Sequence, residues 1–348
     1  MRVLAGDLGG TKTLLQIADL NGKDYQVLHE QRLENCHYSE LLPLIQDFLH
    51  AAPVASGIEH ACIAVAGPIS TTATGQYAKV TNLPWHIDAQ PLAAALNIPR
   101  LSLINDFQAV GYGIETLAAD DISVLQASQP QPHAPRMIIG AGTGLGVGQM
   151  IWQGERYEVI PSEGGHADFA PVDEAQIGLL RYMQRHYAHV SYDRILSGPG
   201  LAHIYSFLHE TAGASPAELQ KIMQHPDPGA EISASAGIGG DPLARAALDM
   251  FVSIYGAQAG NLALINLAFG GVYIAGGIAP KILSHITSGA FMRAFTNKGR
   301  MSTLLGSVPV YIIINPKVGL MGAALAAARL CGVIAQPGSS TPREYIVM

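Results

Sequence analysis

Cysteine is scarce in this chain, three residues in 348, at positions 36, 62 and 331. They form no CxxC pair and leave an odd thiol, which excludes a disulfide framework and a cysteine-built zinc site and fits a reducing cytosol. Charge is sparse as well, 14% of residues against a usual quarter. Its balance is negative, Lys+Arg 20 against Asp+Glu 27, or −7, and the basic residues are scattered. The electrostatic footprint of a nucleic-acid or anionic-membrane binder is therefore missing, and small molecules are the expected partners. The P-loop pattern GxxxxGK[ST] is absent, since the single Gly-Lys pair, Gly22-Lys23, is followed by Asp24. No strict GxGxxG occurs around 140–148, where the register from Gly142 reaches Val147 in place of a third glycine, so a dinucleotide dehydrogenase is disfavoured. Neither HExxH nor a GxSxG elbow is present. No charged leader with an apolar core precedes the strand-like run at residues 1–8, so a cytoplasmic protein is expected. The longest apolar tracts, Leu262 to Ala279 and Val308 to Leu330, are broken by four glycines and an Asn, and by Asn315, Pro316 and Lys317. Each reads as a buried strand followed by a helix rather than a membrane span.

What is present is apolar residue and glycine: 49% hydrophobic, and about 60% once the 38 glycines are added. The length exceeds what one core usually supports, so two domains are expected. Arg2 to Asp7, Thr11 to Leu20 and Tyr25 to Leu33 read as three strands of a meander, with a hairpin signal at Asn21-Gly22. The pattern recurs after Met137. A shift of 132 superimposes Gly10-Thr11 on Gly142-Thr143, Gly22 on Gly154, Tyr25 on Tyr157 and Val27 on Val159, which suggests an internal duplication, chance similarity in glycine-rich sequence being the alternative. Between the copies, Cys62 to Ala66 and Leu101 to Ile104 read as buried strands that alternate with helical stretches near Tyr38 to Ala51 and Ala89 to Leu96, the mark of α/β layers. Val272 to Ala275, Gly276-Gly277 and Pro280 read as strand, glycine turn and helix start.

The duplicated turns, GDLGGTKT (6–13) and GAGTGLGVG (140–148), set glycines and a threonine where two strands reverse. Such turns let backbone NH groups approach an anion, and two of them could hold a polyphosphate; plain tight hairpins are the alternative. Asp7 and Lys12 favour phosphate at the first, because a hairpin requires neither a carboxylate that orients hydrated Mg²⁺ nor a cation beside it. Asn105-Asp106 closes a buried strand, at the sheet edge where open α/β folds bind ligands. Asp106 there can take the proton of an attacking alcohol, or simply cap the helix that follows. In Ser162 to Asp168, two glycines let Glu163 and His166 point into one cavity, where a polyol needs groups that donate and accept; a metal site or a structural histidine are the other readings.

These segments together resemble the bacterial glucokinases of the hexokinase, actin and Hsp70-like superfamily. The similarity runs through GDLGGTKT (6–13), AVAGPI (64–69), LPW (83–85), INDFQAVGYG (104–113), GAGTGLGVG (140–148), EGGHADFAP (163–171), HVSYDRILSGPGLAHIY (189–205), GNLALINLAFGGVYIAGGIAP (260–280) and PVYIIINPKVGLMGAAL (309–325). The resemblance implies an α/β actin-like ATPase (ribonuclease H-like) fold of two domains with a duplicated core and a ligand cleft between them. The small domain would comprise 1–113 plus 315–348 and the large domain 114–314. By position, Asp7, Gly9, Gly10, Thr11 and Lys12 correspond to the first phosphate motif, Gly142, Thr143 and Gly144 to the second, and Gly276-Gly277 to the adenosine motif. Asp106 corresponds to the catalytic base, and Asn105, Glu163, His166 and Asp193 to the sugar contacts. Asp193 departs from the family, which usually has Glu there; it is shorter by one methylene, roughly 1.5 Å of reach. The ROK group of sugar kinases normally carries a cysteine-rich zinc motif after its substrate histidine, and no cysteine stands between 62 and 331 here.

The implied activity is transfer of the γ-phosphoryl of MgATP to the 6-hydroxyl of glucose, with Mg²⁺ reached from Asp7 through water and a homodimer as the expected assembly. The alternatives are a kinase for another hexose and a non-catalytic sugar sensor on the same scaffold. A sensor would need an effector module such as a helix-turn-helix, for which no room precedes the first strand.

Overall fold

The computed structural model describes residues 1–21, 24–81, 83–237 and 239–333. Gly22 of the expected hairpin turn and the polar tail from Gln336 to Met348 lie outside the described residues. The chain forms two compact units, one of residues 1–116 together with the segment from Lys317 onward, the other of Leu117–Pro316.

The first unit opens with β1 (Arg2–Leu8), β2 (Lys12–Asn21) and β3 (Asp24–Glu34), then α1 (Leu41–Ala51), β4 (Ile58–Val65), β5 (Ile69–Thr72), β6 (Gly75–Lys79), β7 (His86–Asp88), α2 (Ala89–Ala95), β8 (Leu101–Asn105) and α3 (Asp106–Ile114). Its main sheet has the order β3-β2-β1-β4-β8, antiparallel across the first two pairs and parallel across the last two. β4 is buried along its length except at Glu59, as expected of a parallel strand covered on both faces. β5, β6 and β7 form a small separate sheet.

The second unit runs through β9 (Ile122–Gln126), β10 (Arg136–Ala141), β11 (Leu145–Gln153), β12 (Arg156–Ser162), α4 (Glu174–Gln184), α5 (Gly198–Thr211), α6 (Pro216–Met223), α7 (Pro228–Ser235), α8 (Pro242–Asn266), β13 (Gly271–Ala275), α9 (Leu283–Thr287), α10 (Ala290–Thr296), α11 (Ser302–Leu305) and β14 (Val310–Ile313). The sheet order β12-β11-β10-β13-β14 repeats that of the first unit, with β9 added antiparallel at the edge. Tyr255 of α8 fixes the helix to the sheet: its hydroxyl lies 3.1 Å from the Ala141 amide and 3.2 Å from the Ile139 carbonyl. The chain then returns to the first unit as α12 (Val318–Val333), which packs on α3, β1 and β4 with Leu320, Ala323, Ala324 and Ala327 fully buried.

The duplication is visible in the register. The pairs Asn21↔Asp24, Leu20↔Tyr25 and Ala18↔Val27 become Gln153↔Arg156, Trp152↔Tyr157 and Met150↔Val159, each residue displaced by 132. The first turn differs: Leu8↔Thr13 encloses four residues and Ala141↔Leu145 three, so the second copy is one residue tighter there.

Two expectations are corrected. The tract Leu262 to Ala279 is the end of α8 followed by β13, the reverse of strand then helix, whereas Val308 to Leu330 does hold a strand followed by a helix. Pro280 does not open a helix. Residues 278–282 form a turn, with the amides of Lys281 and Ile282 bonded to the Ile278 carbonyl, and α9 begins only at Leu283. Among the described residues no helix is long and apolar enough to cross a membrane.

Candidate active site

The two glycine turns share one construction. In the first, the Gly9 amide bonds back to the Lys12 carbonyl at 3.1 Å; in the second, the Gly142 amide bonds back to the Gly144 carbonyl at 2.8 Å. Each closure leaves two amides, those of Gly10 and Thr11 and those of Thr143 and Gly144, without a partner among the described residues. Unpaired NH groups on an exposed turn form a concave donor set for an anion, which is what phosphate groups require. Each turn is also held from outside. Asn35, 2% exposed, donates from Nδ2 to the Gly9 carbonyl (2.9 Å), donates its own amide to the Thr11 carbonyl (2.9 Å), and accepts from the Thr13 hydroxyl (2.7 Å). The second turn is fastened by the Gly198 amide on the Gly142 carbonyl (2.9 Å) and by Asp193 Oδ1, which accepts from the Leu145 amide (2.7 Å). Asn35, Gly198 and Tyr255 were not marked by the sequence. They act through backbone groups of distant residues, a relation that leaves no local motif.

Asp7 stands near the end of β1, half-buried beneath α12, where a Cβ built on Gly319 would come within 3.2 Å of its Oδ2. Burial, reinforced by the charge of Asp106 and opposed by Lys12, pushes its carboxyl up to about 6. Two carboxylates close enough to couple, one of them half-buried, are a donor set that a hydrated divalent cation satisfies, so the residues present fit Mg²⁺ held through water. Among the described residues no group of three or more His, Cys, Asp or Glu could hold a metal directly.

The structure shows which residue holds the cap position beside Asp106. The N-cap of α3 is Asn105, whose Oδ1 accepts from the amides of Phe107 (2.9 Å) and Gln108 (3.3 Å). Asp106 is the first residue of the helix and accepts the Phe107 amide on Oδ1 at 2.9 Å. The cap position thus belongs to Asn105, and Asp106 binds a first-turn amide from inside the helix. It sits at the carboxyl end of β8, in the same unit as the first turn and close enough to Asp7 to raise its pKa. Asn105 Nδ2 reaches the Gly67 carbonyl at 3.3 Å, which fixes the amide plane and leaves one amide hydrogen.

In the second unit, residues Gly164–His166 make one 3-10 turn, and it brings Glu163 and His166 together, Nε2 to Oε2 3.8 Å, with both side chains exposed. Gly276 follows β13 with φ +82, and a Cβ there would lie 2.3 Å from the Ala141 carbonyl. Only glycine allows this turn to press against the end of β10, beside the second phosphate turn.

Comparison with known proteins gives this arrangement its family. A family model described as Glucokinase matches residues 4–330. The glucokinase of Nostoc sp. (strain PCC 7120) is 48% identical over 343 residues, covering 94% of this chain and 99% of its own length. A crystal structure of glucokinase from an Antarctic psychrotroph superposes with a TM-score of 0.82 at 30% identity, covering 94% of this chain and 99% of that one. A ROK family glucokinase from Streptomyces griseus, solved in complex with glucose and AMPPNP, shares the fold at a TM-score of 0.63 and 20% identity over 94% of this chain and all of that one. The chain has the actin-like ATPase fold of these sugar kinases, and it belongs to the glucokinase family.

Proposed function

We propose that this glucokinase moves the γ-phosphoryl group of ATP to the 6-hydroxyl of glucose with Asp106 as the base. The O6–P bond forms as the bridging P–O bond breaks, ADP leaves, and the hydroxyl proton passes to the Asp106 carboxylate. The observation that supports this reading is the placement of Asp106 at the carboxyl end of β8, one residue beyond the Asn105 cap and close enough to Asp7 to raise its pKa. The chemistry is mainly positioning and charge stabilisation. In the first unit, the free amides of Gly10 and Thr11 and the Lys12 ammonium hold phosphate oxygens, and Asn105 and Asp106 orient the sugar. In the second, Thr143 and Gly144 hold phosphate, Gly142 shapes their turn, Gly276 and Gly277 form the adenosine side, and Glu163 and His166 bind sugar hydroxyls. Bound Mg²⁺ would neutralise developing charge on the phosphoryl oxygens, with Asp7 orienting its water shell. A homodimer in the cytoplasm completes the proposal, and the exposed Cys36 thiol fits a reducing compartment.

A coupled assay of ADP release over a panel of hexoses and phosphoryl donors tests the reading. Turnover is expected with glucose and ATP and is expected to need both. ADP release at the same rate without any sugar would overturn it, as would exclusive use of another hexose.

A further inference from the structure

Asp193 corresponds by position to a sugar contact, yet the structure gives its carboxylate a different neighbour. The segment that carries it runs antiparallel to the sugar loop. Ser191 bridges Asp168, the Tyr192 amide bonds to the Ala167 carbonyl at 3.0 Å, and the Asp193 amide bonds to the Gly165 carbonyl at 2.8 Å. From that anchorage Oδ1 accepts the Leu145 amide at 2.7 Å. Leu145 is the first residue after the second glycine turn, and a Cβ built on Gly144 would stand 2.6 Å from the same oxygen. A Cβ on Gly165 would meet the Leu145 carbonyl at 2.0 Å, so the sugar loop also presses on the strand start directly. One aspartate thus joins the loop of Glu163 and His166 to the turn of Thr143 and Gly144.

We infer that Asp193 is a positioning residue for the second phosphate turn, fixing Leu145 so that the amides of Thr143 and Gly144 stay pointed at phosphate, and that it binds no sugar hydroxyl through the bonded oxygen. A charged acceptor on a backbone amide is a strong hydrogen bond, and it takes the one amide next to the turn that an incoming anion would otherwise share. The aspartate side chain is long enough to reach Leu145. Asn35 does the corresponding work at the first turn with a different side chain and different atoms. The inference rests on the kinase reading above, which supplies the phosphate.

Steady-state kinetics and hydrogen exchange on the full chain test it, using Asp193→Ala, Asp193→Ser and Asp193→Asn. Truncation to Ala or Ser is expected to raise KM for ATP about tenfold, to change KM for glucose less than about twofold, and to speed exchange of the Leu145 amide at least tenfold. Asn keeps an oxygen in place and is expected to recover most of the ATP affinity and the slow exchange. A tenfold rise in KM for glucose with ATP affinity and Leu145 exchange unmoved would overturn the inference, and so would truncation without effect. If the wild type proves unable to phosphorylate glucose, the kinase reading fails by itself, while the exchange of Leu145 in the wild type and the Asn variant still decides whether Asp193 holds the turn. Should both truncations fail to fold, Leu145 exchange in the wild type and the Asn variant decides, slow exchange supporting the bond and fast exchange contradicting it.

Discussion

At the scale of single residues, Asp7 shows how function is placed against stability. Its carboxyl is raised from 3.8 to about 6, first by burial and then by Asp106. A raised folded-state pKa means that the native protein holds a proton which the unfolded chain has lost between pH 3.8 and about 6. Stability is therefore unaffected by this group below the lower value, declines as pH rises between the two, and carries the whole cost above about 6, on the order of 3 kcal/mol. Asp7→Asn removes the titration. Denaturant unfolding should show the variant more stable than wild type by about 2–3 kcal/mol at pH 8, with the gap closing below about pH 4. On the role proposed for Asp7, phosphoryl transfer should fall in the same variant. An equal difference at both pH values would mean that burial of charge is not the cause.

At the scale of elements, the turn between β1 and β2 depends on a residue outside it. Asn35→Ala leaves the Thr13 hydroxyl and the Gly9 carbonyl without their buried partner, at a cost of about 1–3 kcal/mol. A lower melting temperature is expected, together with an increase of several-fold in KM for ATP at little change in KM for glucose; a variant with the ATP affinity of wild type would show the turn to be self-supporting. The turns themselves were legible in the sequence, since glycine and threonine at a strand reversal announce their own geometry, and β1 to β3, β10 to β12 and the pair Asn105-Asp106 were legible for the same local reason. α8 was not. Its buried positions run without a break from Ile254 to Gly260, around the whole circumference, so no amphipathic stripe marks it. Gly256 and Gly260 are contact points: a Cβ on either would meet the Phe291 or Phe295 carbonyl of α10 at 2.1 or 2.4 Å. Asn35 and Asp193 were illegible as turn clamps because their partners lie 26 and 48 residues away.

At the scale of the whole molecule, one plan is used twice with different consequences. Both units build a meander followed by parallel strands, and both end the first hairpin in a turn with two free amides. Only the first copy places carboxylates at the adjoining strand ends. Across the shortened turn the displacement is 133, which makes Gly140 the equivalent of Asp7, so the second unit has the glycine turn without the acidic corner. On the function proposed above, base and cation-orienting chemistry fall to the first unit and binding groups to the second. The most direct test of that account is transfer of the γ-phosphoryl group from ATP to glucose in a single turnover, comparing wild type with Asp106→Asn at saturating substrates and matched folded content. The account predicts glucose 6-phosphate at a rate lowered by about 10²- to 10⁴-fold in the variant, with glucose binding retained. Near-normal transfer by Asp106→Asn would contradict it.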